Sequence, residues 1–154
     1  MLAMTVLAER YGLKGNLKAR NTALVNAVIL GSTYVFFDLI SNHEAQYNKN
    51  KDADYRKRHA IETLAIYRTA SLRGDESFEI IFARQFIEKH NIQITEDDRQ
   101  KIKKKAEKIY ADLQKARHNV GLGDFDNSAP PEVIKIFERL KYSFAVTYGD
   151  KNYP

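Results

Sequence analysis

Apolar residues recur at helical spacing along most of the chain, and most clearly after Thr95. The apolar positions there step by three and four residues: Ile102, Ala106, Ile109, Leu113 and Ala116. Thr95 is a good N-cap residue, and the acidic residues that follow it suit the first turn of a helix, where the dipole favours negative charge. The pattern predicts a helix that begins after Thr95 and ends where residues 119–129 break the apolar spacing.

The same reasoning predicts four helices upstream, over about residues 3–11, 22–40, 53–73 and 76–90. Asn21 or Thr22 can cap the second of these helices, and Gly74 and Asp75 separate the third from the fourth. The polar stretch 41–52 has the composition of an exposed loop.

Two prolines, Pro130 and Pro131, are well placed to start a final helix. Its buried face would contain Val133, Phe137, Leu140 and Phe144. We expect residues 149–154 to form a loose tail. No stretch alternates as a strand would, so residues 1–154 are predicted to form one all-α domain, an up-and-down bundle of four to five helices.

Residues 23–40 form the one apolar run that approaches the length of a membrane span. The run contains Asn26, Ser32, Thr33 and Asp38, and a carboxylate is costly inside a membrane. We therefore expect a buried core helix and no membrane partner. The chain has no cysteine, which excludes disulfides, thiolate metal sites and cysteine catalysis, and we expect a cytoplasmic protein.

The formal net charge is +5, which favours a polyanionic partner such as RNA. The candidate RNA-binding residues lie on the predicted helix after Thr95: Lys101, Lys104, Lys105, Lys108 and Lys115. The alternative is an ordinary solvated helix face, and the sequence leaves both interpretations open.

Familiar cofactor and metal motifs are absent from the sequence. There is no Gly-x-x-x-x-Gly-Lys or Gly-x-Gly-x-x-Gly loop for a phosphate group. The four histidines lack the His-Glu-x-x-His spacing of zinc enzymes, and no Glu-x-x-His copy is present for a di-iron bundle. We expect no cofactor and no metal ion.

Residues 117–126 interrupt the helical pattern with a chemically promising segment. Arg117 can hold a phosphate through its two-pronged guanidinium, and His118 titrates near neutrality and can act as general acid or base. Asn119 can orient a sugar or phosphate oxygen, and Asp124 can support the site. Together these residues could cleave RNA without a metal, with the ribose 2′-hydroxyl as the internal nucleophile.

A purely structural interpretation explains the same segment. Arg117 and His118 would neutralise the C-terminal end of the helix, and Asn119 and Gly121 would stop it in the left-handed conformation. Asp124 would form a turn or pair with a lysine. The local residues taken alone favour this structural interpretation.

The string Ala116-Arg117-His118-Asn119-Val120-Gly121-Leu122-Gly123-Asp124-Phe125 resembles the motif of the HEPN superfamily, in particular its abortive-infection and toxin-like branch. The resemblance also includes an apolar helix ending in Phe36-Phe37-Asp38-Leu39, a middle helical pair and a Lys/Glu-rich helix before the motif. Arg117 falls at the family's arginine, His118 at the adjacent polar position and Asp124 at the trailing acid.

Leu122 occupies the position where the family has its catalytic histidine, and a leucine cannot transfer a proton. The chain is then a degenerate, non-catalytic member, a deliberately inactivated variant, or a protein in which His118 has taken over the role. The resemblance implies a homodimer and an RNA-associated defence or toxin protein, with metal-independent endoribonuclease activity as the enzyme hypothesis. The alternatives are a non-catalytic module that dimerises or binds an antitoxin or another protein, and a non-specific nucleic-acid binder.

Overall fold

The fold is all-α, as the hydrophobic pattern predicts. A computed structural model describes residues 2–33, 35–74 and 76–125. Within these ranges there are six α-helices and no strand: α1 (Leu2–Leu13), α2 (Leu17–Ile29), α3 (Phe36–Lys49), α4 (Ala53–Leu72), α5 (Arg84–Lys89) and α6 (Glu96–Asn119). A π-helical segment, Phe78–Ala83, runs directly into α5. The predicted count of four to five helices is therefore too low.

The predictions for α4 and α6 are confirmed almost to the residue. Thr95 caps α6 through a capping box, in which its Oγ1 accepts a hydrogen bond from the backbone N–H of Asp98 (3.2 Å). The Asp98 carboxylate in turn accepts one from the backbone N–H of Thr95 (2.9 Å). Gly74 follows α4 where the pattern places its end. Asp75, the final helix predicted from Pro130 and the tail 149–154 lie outside the described residues.

The predicted single helix over residues 22–40 is wrong, because the chain breaks there into α2 and α3. Asn16, rather than Asn21 or Thr22, caps α2 by accepting a hydrogen bond from the N–H of Ala19 (3.1 Å). Gly31, with φ +107°, adopts a left-handed conformation that residues with a side chain rarely take, and it ends α2. No helix in the described part of the chain is long and apolar enough to cross a membrane.

The loop predicted at residues 41–52 is also wrong, since α3 continues to Lys49. Its buried side chains recur at helical spacing, at Phe36, Ile40 and Tyr47. The polar residues between them have partners on other helices: Asn42 accepts a hydrogen bond from Arg20 (2.8 Å) and Glu44 accepts one from Tyr67 (2.8 Å). Phe36–Leu39 consequently begins a helix rather than ending one.

Helix α4 is the central element, because α3, α6 and the π-helical segment all pack against it, whereas α1 packs on α2. Helices α4 and α6 run side by side in the same direction. Lys57, near the start of α4, forms an ion pair with Asp98 near the start of α6, and Arg73 after α4 lies over Phe125 beyond α6. This arrangement brings the C-terminal ends of both helices to one pole of the bundle.

The π-helical segment aligns two aromatic residues that an α-helix would separate. Phe78 and Phe86 are both buried, although eight residues do not make a whole number of turns at about 3.6 residues per turn. The wider π turns between them correct this offset. Phe78 then packs on Phe36, and Phe86 packs on Tyr47.

Candidate functional site

Helix α6 ends in a Schellman motif. The N–H of Gly121 donates to the carbonyl of His118 (2.9 Å), and the N–H of Leu122 donates to the carbonyl of Arg117 (3.1 Å). Gly121, with φ +77°, is the left-handed stop that the structural interpretation predicts, whereas Asn119 is still helical. Leu122 occupies the position after the stop, where an apolar residue commonly packs against the last helical turn.

The side chain of Arg117 joins the end of α6 to the end of α2. Its Nε donates to the carbonyl of Gly123 (2.7 Å), and its Nη1 donates to the carbonyl of Ile29 (2.8 Å). The cation therefore lies at the C-terminal end of α2 as well as in the last turn of α6, where the structural interpretation places it. In this geometry Arg117 fixes the loop that follows α6.

A second arginine, Arg73, lies at the same pole and received no role from the sequence. Its side chain is buried, with the residue only 4% exposed, and its Nη2 donates to the carbonyl of Gly31 (3.4 Å). Burial lowers the pKa of Arg73, and the nearby Arg117 lowers it further against the opposing effect of Tyr110. The C-terminal ends of α2, α4 and α6 meet here, and their partial negative charges stabilise the two guanidinium groups. A basic residue directly before Gly74 was the available sequence signal, since cations are common at such helix ends.

Phe125 fills the space between the two arginines and α6. The guanidinium carbon of Arg73 lies 3.6 Å from the centre of its ring and that of Arg117 lies 5.1 Å away, both within the range of cation–π contacts. The ring also contacts Tyr110, with the ring centres 5.9 Å apart. The backbone N–H of Phe125 donates to Oε1 of Gln114 (2.9 Å).

His118 and Asp124 form a pair beside this cluster, with His118 Nε2 2.6 Å from Asp124 Oδ1. Both side chains are accessible, at 53% and 75% exposure. A carboxylate on one ring nitrogen orients an imidazole, and Nδ1 is then the nitrogen left for proton transfer. The structure thus brings together three of the four predicted catalytic residues, while Asn119 is exposed in the last turn and makes no side-chain hydrogen bond within the described residues.

The predicted RNA-binding lysines are largely neutralised by neighbouring acids. Lys101 pairs with Asp97 (2.5 Å), Lys105 with Glu62 (2.8 Å) and Lys108 with Asp112 (2.6 Å). The other two of the five predicted lysines are not neutralised in this way. Lys104 and Lys115 are exposed and have no acidic partner in the part of the chain that the structure describes. The positive face of α6 is therefore weaker than its lysine content indicates.

Among residues 2–33, 35–74 and 76–125, no three histidine, aspartate or glutamate side chains are grouped so that they could hold a metal ion. The chain matches no protein-family model, no curated protein and no solved structure. The likeness to HEPN proteins therefore rests on the sequence features alone and stays a prediction.

Proposed function

We propose that this chain is a HEPN-like, RNA-associated protein of a defence or toxin system, and that it cleaves RNA without a metal ion. The observation that carries the proposal is the accessible His118–Asp124 pair, one residue after Arg117. Exposed imidazoles oriented by a carboxylate are well suited to general acid–base catalysis near neutral pH.

In the proposed reaction His118 takes the proton of a ribose 2′-hydroxyl. The 2′-oxygen attacks the adjacent phosphorus and the bond from phosphorus to the 5′-oxygen breaks. The products are a 2′,3′-cyclic phosphate and a 5′-hydroxyl, whose proton comes from the protonated His118 or from water. Asp124 stabilises the imidazolium that forms during the reaction.

Arg117 and Asn119 complete the proposed site. The hydrogen bonds of Arg117 to carbonyl groups occupy its Nε and Nη1, so Nη2 is the donor offered to the scissile phosphate. Asn119, exposed in the last turn of α6, would orient a sugar or phosphate oxygen. Leu122 stands where the HEPN family has its catalytic histidine, but here its N–H closes the Schellman motif. In this proposal His118 takes the proton-transfer role instead.

The test is cleavage of single-stranded RNA by the purified protein in the presence of EDTA, with the products assayed for 2′,3′-cyclic phosphate ends. We expect His118→Ala to reduce the rate roughly 100-fold or more and Asp124→Asn to reduce it roughly 10-fold. Asp54→Asn, which changes an exposed aspartate in the first turn of α4, is the matched control and should keep the wild-type rate. If wild-type protein leaves RNA intact, with no difference from Arg117→Ala, the enzyme proposal is wrong.

The second candidate is a non-catalytic helical module that forms a homodimer. It is supported by large apolar side chains exposed on the α1–α2 hairpin, above all Leu13 at 85% and Leu17 at 57%. A groove of about 490 Å³ between the two helices is lined in part by Met4, Leu7 and Tyr11. Light scattering after size exclusion should then show a dimer that Leu13→Glu and Leu17→Glu dissociate and His118→Ala preserves. A wild-type monomer at every concentration would exclude this candidate.

A further inference from the structure

Phe125 is one of two fixed points of the loop that follows α6, the other being the carbonyl of Gly123, which accepts a hydrogen bond from Arg117 Nε (2.7 Å). The residue is 8% exposed, whereas the side chain of its neighbour Asp124 is 75% exposed. The Phe125 ring lies against the Arg73 guanidinium, and its N–H is held by Gln114. The loop therefore carries its accessible carboxylate directly beside a buried aromatic anchor.

The His118–Asp124 pair does not fix this loop by itself. Exposed ion pairs contribute at most about 1 kcal/mol, because solvent screens them and both side chains lose freedom. The two residues are six positions apart, and the chain between them contains Gly121 and Gly123, around which a side chain would meet no other atom within 4 Å. An open, glycine-containing turn needs an external anchor to hold Asp124 at 2.6 Å from the imidazole.

Arg73 provides a rigid surface on which the Phe125 ring packs. It is buried at the C-cap of α4, the central helix, and it contacts the carbonyl of Gly31 at the end of α2. Its position is set by the core rather than by the loop, so a ring stacked on it has little freedom to move. A cation–π contact shielded from water contributes more than the same contact on an open surface.

We propose that Phe125, whose ring packs on the Arg73 guanidinium, is a positioning residue. It holds the Asp124 carboxylate within hydrogen-bond distance of His118 Nε2. Neither Phe125 nor Arg73 touches the reacting atoms in the proposed reaction. The catalytic consequence rests on the proposed function, whereas the structural part concerns only the geometry of the His118–Asp124 pair and can be measured without RNA.

The experiment follows the ¹⁵N resonance of His118 Nε2 by NMR at fixed neutral pH. Asp124→Asn defines the shift expected when the carboxylate is lost. We expect Phe125→Ala to move the resonance at least halfway to that value, and Phe125→Leu, which keeps apolar volume without an aromatic face, to move it in the same direction. Arg73→Lys should also move it that way. Phe37→Ala, which truncates an exposed aromatic residue packed on Phe78 and Phe82 in a different part of the bundle, is the control that should leave it unchanged.

A His118 resonance that stays at the wild-type position in both Phe125 variants, while Asp124→Asn shifts it, would overturn the proposal. If Phe125→Ala does not fold, the His118 resonance of Phe125→Leu decides between the two outcomes. In cleavage assays we expect Phe125→Ala to lower kcat by no more than the roughly 10-fold expected for Asp124→Asn, with KM unchanged. A shifted resonance with no RNA cleavage by the wild type would sustain the positioning role and reject the proposed function, so the two failures are distinguishable.

Discussion

The guanidinium of Arg117 donates a 2.8 Å hydrogen bond to the carbonyl oxygen of Ile29, 88 residues earlier in the chain. This bond connects the last described helix to the second one, at the pole where Arg73 also binds. Because the same side chain holds the carbonyl of Gly123, one residue couples the packing of α2 to the shape of the candidate site.

Removal of Arg117 should therefore affect stability as well as activity. We expect Arg117→Ala to lower the free energy of unfolding by about 2 kcal/mol, since two hydrogen bonds from a charged donor are lost and one accepting carbonyl is partly buried. Arg117→Lys can replace one of the two bonds and should recover roughly half of the loss. Urea denaturation measures the difference. Arg84→Ala, at an exposed site, is the control and should change stability by no more than about 0.5 kcal/mol; an equally small effect of Arg117→Ala would contradict the coupling.

Asp98 should make the fold sensitive to strong acid. The ion pair with Lys57 and the backbone N–H of Thr95 lower its pKa from 3.8 to about 2. Because the folded-state pKa is the lower one, the stabilisation is complete above about pH 4 and is lost as the pH falls towards 2. We expect about 2 kcal/mol of unfolding free energy to disappear over this interval and to be missing throughout in Asp98→Asn.

The matched control for Asp98 is Asp97→Asn, which changes a neighbouring first-turn acid whose side chain is 73% exposed. Its denaturation curves should keep the wild-type dependence on acid pH. Equal acid dependence in wild type and Asp98→Asn would show that the Asp98 carboxylate is not the responsible group.

His43 should destabilise the fold as the pH falls from neutral. Burial lowers its pKa below the ordinary value of 6.5, and the charges of His59 and Lys105 add to this effect while Glu62 opposes it. The unfolded chain therefore takes up the proton first, so stability is complete above about pH 6.5 and decreases below it. The loss of unfolding free energy between about pH 7 and pH 5 should be smaller in His43→Gln than in the wild type.

Burial also lowers the pKa of His90, which packs between Tyr47 and Phe86. The double variant His43→Gln/His90→Gln should accordingly have a still flatter pH profile than either single variant. A double variant with the full wild-type slope would assign the pH dependence to other groups.

RNA affinity, if α6 contributes to it, should depend on the lysines that have no acidic neighbour. We expect Lys104→Gln and Lys115→Gln each to reduce the slope of log affinity against log salt by about 0.7 for single-stranded RNA. Lys101→Gln should change the slope less, because Asp97 already neutralises this lysine. Fluorescence anisotropy at several salt concentrations gives the slopes, and equal slopes for all three variants would remove α6 from the binding surface.

Sequence reasoning succeeded where the signals were local. The start of α6 follows from Thr95 and Asp98, which satisfy each other's backbone groups, and its end follows from Gly121. It failed at α2 and α3, where the apolar run continues across the break because Val28 and Val35 are both buried. The polar composition of residues 41–49 concealed a helical spacing of buried residues that was present in the sequence.

The candidate site was predictable only in part. The proximity of His118, Asp124 and Arg117 follows from one short segment and its glycine stop. The partners that hold the segment, Ile29 and Arg73, come from distant helices, and only the packing of α2 and α4 against α6 brings them there. No spacing rule within the segment could reveal them.

The π-helical segment Phe78–Ala83 has the effect of one inserted residue in a helix that would otherwise be regular. Deleting Ile80, whose side chain is 53% exposed, would remove little buried surface. It would leave Phe78 and Phe86 seven positions apart, which a regular α-helix with about 3.6 residues per turn places on one face, so Phe86 would keep its contacts with Tyr47 and Tyr67. A one-residue deletion here should therefore be tolerated far better than a one-residue insertion, which would turn Phe86 away from the face that Phe78 occupies.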